Sequence, residues 1–518
     1  LTGVYLAPRG IDWDHYKDNY EVYDPTRGCN VQNWSNTELQ QFGNPYWMLN
    51  RQTPISKRNR YEFGGSIKWD ITADLNIQGR MRYERGEEQF IHNAYASSVG
   101  NLYKMGRMKN NRYFSDQLYG DVLINYNHTW NEWGLTATAG SSFTKTKTAH
   151  VDLWGEGEQY KSPGDGNIYY PNIFTPNNYY GNMSTTDALN TEKRLNAVFA
   201  TAQVGCKGAV FLDLSARNDW SSALAFTDGC SFFYPSVGAS VLLNKLVPMG
   251  EQVNLFKFRG SYSIVGNDVP IYMSNPRYTL GESGSISAPD KAAFRTLKPE
   301  KTHSIEVGFD GTFFNNRLDF SLTYYKTNTK NQFFSVSAPY ESGLRNRYVN
   351  AGNVQNQGIE ASIGWHQQFN PDFSWSTNFN ISYNENKIKE LVEGLENGLT
   401  IASWQGAKVV LNEGGSYGDL YVRQIKRDEA GKPVKNDKGE PILMGDNVDE
   451  MKYAGNMNAK VNFGWTNTFH YKDFTFSFLI DGKFGGRVLS ATEATLDGWG
   501  VSSALASHAT QARLWLTA

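Results

Sequence analysis

From Tyr61 to Glu84 the chain reads YEFGGSIKWDITADLNIQGRMRYE, and its apolar residues fall on every second position. Tyr61, Phe63, Ile67, Trp69 and Ile71, with Gly65 among them, alternate with Glu62, Gly64, Ser66, Lys68 and Asp70. Thr72-Ala73-Asp74 makes a short turn, after which Leu75, Ile77, Met81 and Tyr83 alternate with Asn76, Gln78, Arg80, Arg82 and Glu84. Side chains on a strand point to opposite faces with period two, so this stretch is a β-hairpin with one apolar and one polar face.

The unit recurs along the chain. Leu118 to Trp130 turns at Asn131-Glu132-Trp133 into Leu135 to Phe143, and Arg194 to Gly205 turns at Cys206-Lys207-Gly208 into Val210 to Arg217. Phe233 to Leu243 pairs through a longer connection with Phe256 to Ile264, and Ile305 to Phe313 turns at Asn315-Asn316 into Leu318 to Tyr324. Ile359 to Trp365 and Phe373 to Tyr383 flank Asn370-Pro371-Asp372; Ala459 to Phe469 and Phe474 to Phe484 flank Tyr471-Lys472-Asp473. About fourteen strands result, each near the ~10 residues of a tilted membrane-crossing strand. The turns inside hairpins are mostly short, whereas Arg85 to Arg112, Lys145 to Lys193, Asp268 to Lys301 and Asn384 to Ala454 join them as long connections. Long loops at one end and short turns at the other are the layout of an outer-membrane β-barrel, with the loops extracellular and the turns periplasmic. The competing reading is a large soluble β-protein with one wetted face.

Charge placement separates the two readings. Lys68, Arg80, Asp213, Arg259, Glu306, Asp310, Asp319, Glu360, Lys460, Asp481 and Lys483 all lie on the polar parity of their strands. A water-facing surface has no need of that exclusion, whereas a lipid-facing Arg or Lys at mid-bilayer costs about 2–4 kcal/mol. The faces of Arg194 to Gly205 and of Phe233 to Leu243 stay unassigned, because apolar residues occupy both parities there. Trp69, Trp130, Trp365, Trp375 and Trp465 are expected near the short-turn ends, and Tyr61, Tyr83, Tyr324 and Tyr383 near the long-loop ends, as two interfacial girdles.

Composition agrees. The chain has 518 residues, net charge −2, 20% charged residues, 14 Trp, 30 Tyr and 29 Phe. Its mean hydropathy is −0.54. That aromatic load excludes a solvated coil, and the balanced charge without a basic tract excludes a nucleic-acid binder. No apolar run approaches the ~20 residues of a membrane helix, and no signal-peptide pattern opens at Leu1. Cys29, Cys206 and Cys230 form neither a disulfide framework nor a zinc pattern.

Candidate chemistry is mostly negative. H-E-x-x-H, C-x-x-C, P-loop and G-x-S-x-G motifs are all missing, so the chain reads as no enzyme and as needing neither cofactor nor metal. His128, His303 and His366 fall in or beside strands and read as lumen or interface residues. Acidic residues from Asp446 to Glu450 have calcium-type oxygens, but a solvated loop explains them as well. Asp437-Lys438-Gly439 reads as a hairpin tip inside the longest loop. The loops carry aromatics among Gly, Asn, Asp and Ser: Trp34, Trp154, Tyr169, Tyr170, Tyr179, Tyr180 and Trp404. Flat rings stack on sugar faces while amides bond hydroxyls, which suits a glycan and also a peptide; the alternative is that these rings pack the loops together.

Several segments resemble the SusC/RagA-like family of TonB-dependent outer-membrane transporters. They are Asn44-Pro45-Tyr46-Trp47, DLSARNDWSSAL (Asp213 to Leu224), FFYPSVGASVLLN (Phe232 to Asn244) and KFRGSYSIVGNDVP (Lys257 to Pro270). LKPEKTHSIEVGFDGTFFNNRLDFSLTYYKTNTKNQ (Leu297 to Gln332), NAGNVQNQGIEASIGW (Asn350 to Trp365) and FLIDGKFGGRV (Phe478 to Val488) continue it in the family's order. The resemblance implies a plugged barrel of about 22 strands, a SusD-like surface lipoprotein as lid, and energy from TonB. It also implies active import of an oligomeric nutrient, glycan favoured over peptide, across the outer membrane of a Gram-negative, Bacteroidetes-like cell. Passive passage through a porin, or a structural barrel, is the alternative. On this reading residues 1–57 are an extracellular loop region, 58–485 are barrel strands and loops including the long 385–454 loop, and 486–518 are an incomplete terminal loop. The plug, the TonB-contacting segment and the aromatic-ended last strands are expected outside this chain, and Ser502 to Ala518 does not resemble the family. Arg259, Glu306, Asp310 and Glu360 are then the inner-wall residues expected to face the plug.

Overall fold

The computed structural model describes residues 4, 7, 10–34, 43–98, 105–156, 170–179, 183–280, 285–289, 291, 293–294, 296–337, 346–391, 398–404, 406–445 and 447–498. A small hairpin comes first, β1 (Glu21–Asp24) and β2 (Cys29–Gln32). The first half of the main sheet is β3 (Gln52–Asp70), β4 (Leu75–Ala94), β5 (Arg107–Trp130), β6 (Trp133–Glu156), β7 (Met183–Cys206), β8 (Val210–Ser221), β9 (Ser231–Leu242) and β10 (Val253–Asn267). After a two-residue pair, β11 (Thr279–Leu280) and β12 (Ile286–Ser287), come β13 (Glu300–Phe313), β14 (Leu318–Ser337), β15 (Asn346–Asn370) and β16 (Phe373–Glu390). Four short strands, β17 (Leu399–Trp404), β18 (Ala407–Leu411), β19 (Asp419–Val422) and β20 (Lys452–Asn456), precede β21 (Ala459–Tyr471) and β22 (Phe474–Gly485).

Fourteen of these strands form one up-and-down antiparallel sheet in chain order from β3 to β22, skipping β11, β12 and β17 to β20. Among the described residues β3 and β22 pair along one edge only, so this is an open stretch of barrel wall. All seven hairpins expected from the alternation are present. Among the described residues no helix is long and apolar enough to cross a membrane.

Tight turns use the left-handed backbone where the sequence tolerates it. Lys207 and Gly208 have φ of +55° and +56°, and Asn315 and Asn316 have +57° and +62°. Gly adopts this region without cost and Asn more readily than other side chains.

The register fixes both faces, including the two strands that the pattern left open. Val198, Ala200, Ala202 and Val204 of β7 lie opposite outward residues such as Leu212 and Leu214 of β8. Val237 of β9 sits opposite Leu214, so Phe233, Pro235, Ala239 and Val241 face outward with it. The alternation is obscured because Phe199, Phe211 and Phe232 occupy the inward face, where each packs on a neighbour such as Arg217, Gly205 or Tyr234. The outward face stands bare of protein: Ile67 is 80% exposed, Phe474 77%, and Phe63 and Trp69 66% each.

The strands are longer than the alternation indicates. β5 and β6 run 24 residues each and β15 runs 25, whereas β8 and β9 run 12. Much of what reads as loop in Arg85–Arg112 and Lys145–Lys193 is therefore strand. Tyr324 lies level with Val307, Ile359, Tyr383 and Val461 in one row across five strands. The tyrosines expected at strand ends stand at mid-strand, because the sheet continues beyond them. From Trp375 up to Tyr383 is nine residues and from Trp365 up to Ile359 is seven, near the ~9–11 residues of a tilted strand that spans a bilayer. Trp465 departs from the expected girdle. It sits at the centre of β21 opposite Phe379 and Ile480, with Nε1 donating to Thr377 Oγ1 at 2.9 Å.

Above the tyrosine row both faces turn polar. Asn328 bonds Asn353 at 3.0 Å, Asn386 bonds Asn356 at 2.9 Å, and the hydroxyls of Thr302 and Thr329 lie 2.9 Å apart. The long connections fold into small caps there. Ala223, Leu224, Phe232, Val269, Met273 and Leu297 form a buried core over the short strands β8 to β10. At the other side, Asn44 caps the helix Pro45–Arg51 by accepting from the Tyr46 N–H at 2.9 Å. Trp47 is buried against Tyr95, and its Nε1 donates to Ser98 Oγ at 2.9 Å.

Candidate functional site

The inward face within the membrane band carries ion pairs at every few strands. Arg80 grips Asp121 with two nitrogens, Nε to Oδ1 at 2.9 Å and Nη2 to Oδ2 at 2.6 Å, and the Tyr119 hydroxyl donates to the same carboxylate at 2.5 Å. Asp121 is 5% exposed, a burial that a carboxylate tolerates only when paired and hydrogen-bonded. On β8, Arg217 Nε donates to Asp219 at 2.8 Å while its guanidinium lies 5.4 Å from the Phe199 ring. The Tyr234 hydroxyl also donates to Asp219.

Of the four expected inner-wall residues, Arg259 and Asp310 meet directly at 3.1 Å. Thr323 Oγ1 accepts from Arg259 Nη2 at 2.6 Å and Ser321 Oγ donates to Asp310 at 2.9 Å. Glu360 lines the same hollow of about 360 Å³ as Arg259, Ser321 and Thr323. Glu306 faces inward between Ser261 and Tyr325, with no ion pair among the described residues. The pairs on β4–β5 and β8 escaped the sequence reading. Their visible signal is Tyr119-x-Asp121 and Arg217-x-Asp219, donor and carboxylate two residues apart on one face of a strand.

At the long-connection end, a hollow of about 600 Å³ opens between β14–β16 and the four-stranded sheet β17–β20. Asn356, Asn384, Asn386, Tyr417, Tyr453 and Asn458 contribute to its lining. The segment Gly414–Tyr417 is hooked onto β16: Ile388 exchanges backbone hydrogen bonds of 2.8 Å with Gly414 and Gly415, and Asn386 Oδ1 accepts from the Tyr417 N–H at 2.7 Å. Asp419 is buried and accepts from Ser416 N–H at 2.7 Å, Asn456 at 2.8 Å and the Tyr453 hydroxyl at 3.2 Å. Burial, with the Asp419 charge beside it, pushes the Tyr453 phenol up and keeps it a neutral donor.

Among the described residues the loop aromatics do not gather. Trp34 is 8% exposed and packs on Tyr16 and Trp13 at 5.3 and 6.0 Å, inside a cap rather than on a surface. Trp154 is half-buried on the inward face of β6, 5.2 Å from the Arg107 guanidinium, and its Nε1 has no hydrogen-bond partner among the described residues. Tyr170 is 60% exposed, with its backbone held by Asn178 at 2.9 and 2.6 Å. Trp404 ends β17, half-buried. Tyr179 closes a short 3-10 turn, Pro176–Tyr179, while Tyr169 and Tyr180 lie outside the described residues. Around Trp154 the inward wall also carries Lys109 over Phe90 at 5.9 Å and Tyr113 stacked on His150 at 5.3 Å. Asn111 Oδ1 and Asp152 Oδ1 are buried there without partners among the described residues. Asp446 falls outside the described residues, and among these no group of three potential metal ligands occurs. The Asp437-Lys438-Gly439 tip is a tight turn, with Gly439 N–H on Asn436 C=O at 2.9 Å.

A family model described as "TonB dependent receptor-like, beta-barrel" matches residues 3–508. The chain is 30% identical over 510 residues to the TonB-dependent receptor SusC of Bacteroides thetaiotaomicron, covering 89% of this chain and 48% of that protein. It is 26% identical over 440 residues to the TonB-dependent receptor P39 of Formosa agariphila, covering 74% of this chain and 40% of that one. Among solved structures, the RagAB peptide transporter superposes with a TM-score of 0.70 at 17% identity, over 88% of this chain and 51% of that one. The chain thus spans about half or less of the length of these relatives. The up-and-down antiparallel wall agrees with that match over nearly the whole sequence, and the chain belongs to the TonB-dependent receptor-like β-barrel family.

Proposed function

We propose that this chain forms the wall and mouth of an energised importer that carries an oligomeric nutrient across the outer membrane. The inward wall carries the reading: Arg80–Asp121, Arg217–Asp219 and Arg259–Asp310 hold charged groups in fixed geometry along a lumen too wide to be closed by side chains alone. A passive pore of such circumference leaks small solutes, so a plug resting on these groups, with Glu306 and Glu360 beside them, fits better than an open channel. Displacing a plug requires work, which TonB supplies in this family.

The long-connection end is the extracellular end in this reading, and a SusD-like lipoprotein closes on it. A glycan is the favoured cargo, with a peptide second. Amides at the 600 Å³ hollow offer paired donors and acceptors for hydroxyls, while Trp154 and Tyr170 offer ring faces.

Uptake by cells expressing the full-length protein, with and without TonB and with and without the neighbouring lipoprotein, tests the proposal. Loss of uptake on either deletion supports the importer. Undiminished uptake without TonB favours a passive porin.

A further inference from the structure

On the outward face of β13 and β14, just beyond the tyrosine row, lysines collect without carboxylates. Lys301 and Lys330 are direct partners across the two strands. His303 lies one outward row nearer the membrane, opposite Asn328, and Lys326 one row further, opposite Ile305 and Gln357. Tyr324 is the next outward residue below Lys326, which puts the ammonium groups at headgroup height if the tyrosines mark the interface. Lys326 and Lys330 are exposed.

Like charges directly opposite on paired strands destabilise the pair. No carboxylate lies within 4.0 Å of Lys301, Lys326 or Lys330 among the described residues. The carboxylates nearest in register on this face, Glu385 and Glu390, belong to β16, two strands from β14, and Glu385 accepts from Gln357 Nε2 at 3.0 Å. His303 is engaged by the Tyr262 hydroxyl at 2.9 Å. The opposite part of the wall behaves differently at the same height. There Arg85 meets Asp116 at 3.9 Å, and Lys145, Lys147 and Arg194 converge on Glu192 at 3.4, 3.6 and 2.6 Å. On β4 to β7, Arg85, Lys145, Lys147 and Arg194 each have a carboxylate within 4 Å, whereas among the described residues Lys301, Lys326 and Lys330 have none.

We propose that Lys301, Lys326 and Lys330 bind a phosphate group of an outer-leaflet lipid headgroup. This rests on the orientation given above, with the long connections outside the cell. The lipid supplies the anion that the wall lacks, and the tyrosines below it anchor at the same interface.

Full-length receptor, purified and stripped of lipid in neutral detergent, is titrated with bis-phosphorylated lipid A and followed by native mass spectrometry. Dephosphorylated lipid A and inorganic phosphate are the control arms. The Lys301→Gln/Lys330→Gln double variant is expected to bind bis-phosphorylated lipid A about thirtyfold more weakly. It is also expected to melt higher than the wild type without lipid, because the repulsion is gone. Lys301→Arg/Lys330→Arg keeps the affinity and controls for folding. Equal affinity in wild type and glutamine variant overturns the site, as does equal binding of dephosphorylated lipid A. Displacement of the lipid by millimolar inorganic phosphate overturns the lipid assignment in favour of a free anion. TonB-dependent uptake by wild type and by the glutamine variant separates this proposal from the importer reading: retained uptake with lost lipid binding supports both, whereas wild-type uptake that survives deletion of TonB overturns the importer reading and leaves the lipid site standing.

Discussion

Below and above the tyrosine row the same strands obey different chemistry. On β14, Leu318, Phe320, Leu322 and Tyr324 face outward below it, against Asp319, Ser321 and Thr323 inward. Beyond it, Lys326, Asn328 and Lys330 face outward and Thr327 and Thr329 inward. In hydrocarbon every backbone polar group must be bonded within the sheet, and the outward side chains must be apolar. Above the membrane only the first condition holds usefully, and amide and hydroxyl pairs across strands replace the apolar face. One continuous ladder of backbone hydrogen bonds therefore joins two solvents. The lower zone sets the fold and the upper zone is free to vary for binding.

The largest expected effect lies in the upper zone. Ile388 is 1% exposed and anchors the hooked segment Gly414–Gly415 to β16. Ile388→Ala should cost about 2–5 kcal/mol in local stability. Limited proteolysis is expected to cut within 399–456 while the heat-modifiable mobility of the barrel is unchanged. Collapse of the whole barrel would mean that the two zones are not separable.

Next is the charge test of the lower zone. Phe478 faces outward, with ring centroids 6.0 Å from Trp465 and from Phe476, whereas Ser477 faces inward and donates to Thr468 at 3.0 Å. Phe478→Arg should destabilise membrane folding by about 2–4 kcal/mol, and Ser477→Arg by about 1 kcal/mol or less. Equal costs in a bilayer-folding assay on the complete barrel contradict the face assignment.

At the border between zones, Tyr325 lies over Gly358 and bonds Asn384 at 2.9 Å. A Cβ at 358 would stand 2.2 Å from the Tyr383 carbonyl oxygen and 2.6 Å from the Tyr325 hydroxyl. Gly358→Ala should cost about 1–3 kcal/mol through this overlap, measured by denaturant unfolding in lipid. An unchanged midpoint would show that the border relaxes freely. The smallest effect is expected at the inner wall, where Arg259→Gln leaves Asp310 with the Ser321 hydroxyl. The cost in folding should be about 0–1 kcal/mol because the pair is partly wetted. A larger loss would give the Arg259–Asp310 pair a structural weight that its partial wetting does not predict.

How much was legible follows the same border. Below it, alternation named all fourteen strands and, except on β7 and β9, their charged parity, because lipid forces outward residues to be apolar. Above it, strands such as Arg107–Tyr113 and Thr327–Ser337 carry polar residues on both faces, so nothing in their pattern separates strand from loop. The sheet β17–β20 was hidden for a related reason: β19 and β20 are four and five residues long, too short to show a period. The candidate site was less legible still. Arg259 and Asp310 were identified as a pair of parities, but contact between them depends on the β10–β13 register. Trp34 shows the limit of composition: a tryptophan among loop residues became the buried centre of a cap because Trp13 and Tyr16 lie within reach. Spacing cannot tell a stacking platform from such a core.

The central claim is that the tyrosine row is a solvent border crossed by unbroken strands. Single cysteines placed along β14 at positions 319 to 330, in full-length protein whose Cys29, Cys206 and Cys230 have been replaced, can carry spin labels in a lipid bilayer. Collision with oxygen reports lipid, and collision with a water-soluble nickel complex reports water. Positions 320 and 322 should be oxygen-accessible and 319, 321 and 323 not, with outward positions switching to water accessibility between 324 and 326. Oxygen accessibility persisting outward through 328 and 330, or appearing at the inward positions, would contradict the account.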